Sequence, residues 1–145
     1  MSFQYTLQKV LEVRENDKLV AEKEFAIATR QFEEVATRLY ELLKKKEDYE
    51  NHYNNRIEAG IPIFQIQQSY SLLTRLQEQI DQLQYTTQKA RENMNRKQNL
   101  LVEKSIELKK YEKMKQIKYE EYLEEEKRLE NTLMDEISIQ LFVKR

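Results

Sequence analysis

Stepping alternately by four and three residues from Leu7, the chain meets Leu11, Arg14, Lys18, Ala21, Phe25, Ala28, Phe32, Val35, Leu39, Leu42, Lys46, Tyr49, Tyr53 and Arg56. Eleven of these fifteen positions are apolar, and the four exceptions carry long basic side chains that can lay their stems along a seam while their charges stay wet. The same stepping from Leu73 meets Leu76, Ile80, Leu83, Thr87, Ala90, Met94, Lys97, Leu101, Lys104, Leu108 and Tyr111. Such a stripe is the mark of a helix that buries a narrow face against one other helix. Beyond Tyr111 the register blurs, because Met114 and Ile117 lie off the stepping while Tyr122 and Leu129 lie on it.

The two stripes are separated by the chain's one glycine and one proline, Gly60 and Pro62. Glycine suits the left-handed position just past a helix end, and proline suits the first turn of the next helix, where its missing N–H costs nothing. A connection this short makes the helices antiparallel neighbours. The expected fold is all-α: one domain of two long helices in an antiparallel coiled-coil hairpin, with helix 1 over about residues 3–58, the turn at 59–62 and helix 2 over about 63–140. With the turn centred near Ile61, residue i should face about residue 122 − i, so helix 1 runs out opposite about residue 115. Helix 2 then overhangs by roughly 30 residues, or about 45 Å at 1.5 Å per residue. That overhang carries Ile117, Tyr119, Tyr122, Leu123, Leu129, Leu133, Met134, Ile137, Ile139, Leu141, Phe142 and Val143. A solitary solvated helix does not need so much apolar surface. The helix bends back, two molecules trade overhangs, or a different protein covers it; the last is the favoured expectation.

Composition narrows the function. Charged residues make up 35% and apolar residues 39% of the chain, enough for a seam but not for a layered core. Cysteine is absent, which excludes disulfides, thiol nucleophiles and thiolate metal sites. No apolar run approaches a membrane span, and the start, Met1-Ser2-Phe3-Gln4-Tyr5, has no signal-peptide pattern, so a cytoplasmic protein is expected. With 25 Lys and Arg against 26 Asp and Glu there is no overall field for nucleic acid or an anionic membrane.

Candidate chemistry is sparse. One glycine cannot build a phosphate-cradling loop, and His52 stands alone, without a second His or a Cys to complete a site. Paired carboxylates such as Glu33-Glu34 fall on exposed helix faces without a pocket to shift their pKa values. No enzyme, cofactor or metal is expected. Residues 96–118 hold eight basic against three acidic side chains, and residues 119–136 eight acidic against two basic. These blocks read as a solvated helix laced with i to i+4 pairs, or as a dipolar rod whose acidic end seeks a basic socket. Near the turn, Tyr49, Tyr53, Leu72 and Leu76 are candidates for a partner patch, although all but Leu72 also fit the seam.

Several stretches resemble the flagellar export protein FliJ family along nearly the whole chain. They are Phe3-Gln-Tyr-Thr-Leu-Gln-Lys-Val-Leu-Glu-Val-Arg-Glu15, the turn Ala59-Gly-Ile61 followed by Tyr70 and Leu76, Tyr111-Glu-Lys-Met and Met134-Asp-Glu-Ile137. The hairpin supplies each seam with an intramolecular partner, so a monomer in isolation is expected; the resemblance implies a non-enzymatic stalk of the flagellar type III export apparatus, similar to the rotor stalk of rotary ATP synthases. It implies three partners: the hexameric export ATPase, the cytoplasmic part of the membrane export gate, and chaperones of late export substrates. The protein would then be peripheral at the cytoplasmic membrane through the apparatus. Carried onto this chain, Leu7, Leu11, Leu129, Leu133, Ile137 and Leu141 are the ATPase-facing candidates, and Tyr49, Tyr53, Leu72 and Leu76 the gate-facing ones. The injectisome counterpart and a self-assembling structural coiled coil are the alternatives.

Overall fold

The computed structural model describes residues 2–144. It contains two helices, α1 (Gln8–Ala59, 52 residues) and α2 (Ile63–Val143, 81 residues), and among the described residues no strand. Gly60 takes a left-handed φ of 86° and its N–H closes α1 onto the carbonyl of Ile57 at 3.0 Å. The carbonyl of Pro62 accepts from the N–H groups of Gln65 and Ile66 at 3.0 and 3.2 Å, so Pro62 opens α2 without having to donate.

The chain forms two compact units. One is Ala21–Leu101, which holds the turn, and the other joins the chain up to Val20 with the chain from Val102 onward.

In the turn-bearing unit the helices run antiparallel in the register that the turn dictates. Lys97 Nζ pairs with Glu24 Oε2 at 3.2 Å, the Arg91 guanidinium lies 5.4 Å over the Phe32 ring, Lys46 Nζ donates to Gln77 at 2.6 Å and Arg56 to Gln65 at 2.6 Å. Each partner lies within one residue of the position expected opposite it. Ala21, Ala28, Leu76, Ile80 and Thr87 are buried between the helices, and the small side chains at Ala21 and Ala28 leave room for close approach. Thr87 hides its hydroxyl by donating to the Leu83 carbonyl at 2.7 Å.

In the other unit Tyr5, Leu11 and Leu108 form the core, with Phe3, Leu7 and Tyr111 packed against it. Arg14 spreads its guanidinium 5.9 Å from the Tyr111 ring and bonds Asp17 at 3.1 Å. Asp17, and then the nearby Glu107, hold Arg14 above its ordinary pKa. The start of helix 1 is corrected here, because residues 2–5 are not helical and α1 begins at Gln8. Phe3 packs on Tyr119 and Tyr122, with ring centroids 5.3 and 5.5 Å apart, while the Tyr5 hydroxyl reaches the Tyr111 carbonyl at 3.4 Å. A non-helical chain advances about 3.3 Å per residue against 1.5 Å in a helix, so a few residues cover several turns of α2. The overhang is shortened accordingly: it starts after Tyr122, not near residue 115, and runs helically to Val143.

Candidate functional sites at the two ends of the seam

Every position of the second stripe from Leu73 to Tyr111 is buried or half-buried, and in the first stripe Arg56 alone is exposed. What remains outside the seam is the surface available to a partner.

On the overhang, Leu129 is 59% exposed, Leu133 57%, Ile137 43% and Leu141 63%. All four stand on one side of α2, following Tyr122 at helical spacing. Glu124, Glu125, Glu126 and Glu130 lie near the start of this stripe, and a recess of about 430 Å³ opens between Tyr122, Leu129, Glu125, Glu126 and Glu130. The Tyr122 hydroxyl donates to Glu126 at 2.7 Å, which holds the phenol's pKa above its ordinary value. Leu7 and Leu11 are placed differently from the other ATPase-facing candidates. Leu11 is 3% exposed and Leu7 packs on the same core, so both hold α1 to α2 and neither adds to the free stripe.

Around the turn, Tyr49 and Tyr53 are half-buried, Leu72 is 43% exposed and Leu76 is 5% exposed. Leu76 is therefore a seam residue. Tyr49 and Leu72 do meet, as two walls of a groove of about 540 Å³ that Phe64 and Arg75 extend; Tyr53 does not line it. Phe64, Ile63 and Tyr70 lay outside the expected patch, yet each is more than half exposed. The signal that could have found them is the absence of any charged residue between Glu58 and Arg75.

Among the described residues no three His, Asp or Glu side chains gather in a way that could hold a metal ion, and no helix is long and apolar enough to cross a membrane.

Comparison with known proteins gives this arrangement a context. The solved structure of a Chlamydia trachomatis protein described as a YscO homolog superimposes with a TM-score of 0.58, covering 97% of this chain and 95% of that one; at 22% identity the likeness is one of fold. The flagellar FliJ protein of Bacillus subtilis (strain 168) is 34% identical over 143 residues, which are 99% of this chain and 97% of that one. The family model described as Flagellar FliJ protein matches residues 3–145. With a family match over nearly the whole length and a relative this similar, the chain belongs to the flagellar FliJ protein family.

Proposed function

We propose that this FliJ-family export component is a non-enzymatic stalk and adaptor that docks its α2 overhang into the export ATPase and uses the turn end for the membrane export gate. The observation that carries the reading is the apolar stripe Leu129–Leu133–Ile137–Leu141, held on a helix with no covering element after Tyr122 among the described residues. Solvated monomers rarely keep such a stripe unless another protein covers it. Acidic side chains along the same helix favour a basic rim on the partner and speed the encounter. With the overhang engaged, the turn end is the surface left for a second protein, the gate's cytoplasmic part, and export chaperones are a third class of partner. Work at the cytoplasmic face of the membrane follows from contact with the apparatus.

Retention of the chain on immobilised export ATPase tests the first contact. The full chain is expected to be retained, and Leu133→Asp with Ile137→Asp to abolish retention while far-ultraviolet circular dichroism stays helical. Equal retention of the double variant would remove the overhang from the interface.

A further inference from the structure

Charged residues make up 35% of this chain, yet none falls between Glu58 and Arg75. Within that stretch Phe64, Gln68, Ser71 and Arg75 recur at i, i+4, i+7 and i+11, so they form one column about 16 Å long on α2. Leu72 borders the column, and Tyr49 closes it from α1 to make the groove. Phe64 is 66% exposed, so the groove offers aromatic and aliphatic surface that the seam does not use. Arg75 is exposed at its far end and is the one charged group on the lining. It closes no ion pair with Glu78, one turn on, and has no hydrogen-bonded partner among the described residues.

This chemistry selects its occupant. A basic segment would be repelled by Arg75, and a wholly apolar one would find nothing to fix its register. An aromatic or aliphatic anchor against Phe64, Leu72 and Tyr49, followed by a carboxylate, satisfies both: guanidinium and carboxylate pair in a two-pronged geometry, and buried anchors dominate interface energies. We infer that the groove docks a protein segment carrying an apolar anchor and an acidic side chain, and that Arg75 sets the register of that segment. The inference rests on the turn end being the second docking surface, and it names what the partner must present there.

Titration calorimetry of the full chain with the soluble cytoplasmic domain of the export-gate membrane protein separates the two. Leu72→Ala addresses the docking surface, and Arg75→Glu, Arg75→Ala and Phe64→Ala address the groove's chemistry. All three side chains are exposed, so helicity by circular dichroism should be unchanged. Arg75→Glu is expected to weaken binding about tenfold or more and Arg75→Ala by less, with Phe64→Ala several-fold weaker. Raising the salt should weaken the wild type more than Arg75→Ala, because only the wild type has the ion pair to screen. If Leu72→Ala weakens binding and both Arg75 variants match the wild type, the carboxylate inference is overturned while the docking surface stands. Wild-type binding by Leu72→Ala and the Arg75 variants together overturns both. Binding to phosphatidylcholine vesicles that Phe64→Ala abolishes, with no binding to the gate domain, would give the groove a lipid occupant and overturn the proposal.

Discussion

Ile80 is 1% exposed and fully enclosed between the helices, whereas Leu72, two turns earlier, is 43% exposed beside the seam. Ile80→Ala removes packed atoms from a closed site and is expected to cost about 3 kcal/mol in denaturant unfolding. Leu72→Ala should stay within about 0.5 kcal/mol of wild type, as surface substitutions do. Both belonged to the same apolar pattern, and the difference was legible because Ile80 lies on the four–three stepping and Leu72 one position off it. Leu7, Leu11 and Leu76 were on the stepping too, and the structure uses them to join the helices. At Tyr122 the hydrogen bond to Glu126 raises the phenol's pKa. A raised folded-state pKa means that the contribution is present below the ordinary tyrosine range and is lost as the pH rises through the folded value. Absorbance titration should show a late-ionising component that disappears in Tyr122→Phe.

For the elements, the turn fixed the pairing: once Gly60 and Pro62 placed the reversal, the contacts of Glu24, Phe32, Lys46 and Arg56 fell within a residue of their expected partners. The start of α1 was harder to read because Phe3 and Leu7, four apart, fit a helix. Phe3, Tyr5 and Leu7 also alternate with Gln4 and Thr6, which is the period of an extended chain, and the structure follows that second pattern up to Tyr5. This segment covers Tyr119 and Tyr122, so it decides where the overhang begins. Amide hydrogen exchange should show protection in α2 up to about Tyr122 and much faster exchange beyond it, since helix packed against nothing opens at little cost. Phe3→Ala should move that boundary toward Tyr111. An overhang as protected as residues 76–108 would mean that another surface covers it.

For the molecule as a whole, one intramolecular partner satisfies each seam, so the mass in dilute solution should be that of a single 17.7 kDa chain by light scattering. A stable dimer would favour traded overhangs. The overhang's apolar content was plain in the sequence, but its length and the groove at the turn were not, because both depend on which residues the opposite chain segment covers. If the α2 end works on the export ATPase as proposed, without this chain performing catalysis, its loss should register in the ATPase's own turnover. The direct measurement is the ATPase's hydrolysis rate with the full chain and with a chain lacking residues 130–145, each at saturating concentration. The rate should rise with the full chain, and the shortened one, which keeps the seam residues from Leu7 to Tyr111, should produce none of that increase. An undiminished increase with the shortened chain would remove the α2 end from the contact with the ATPase.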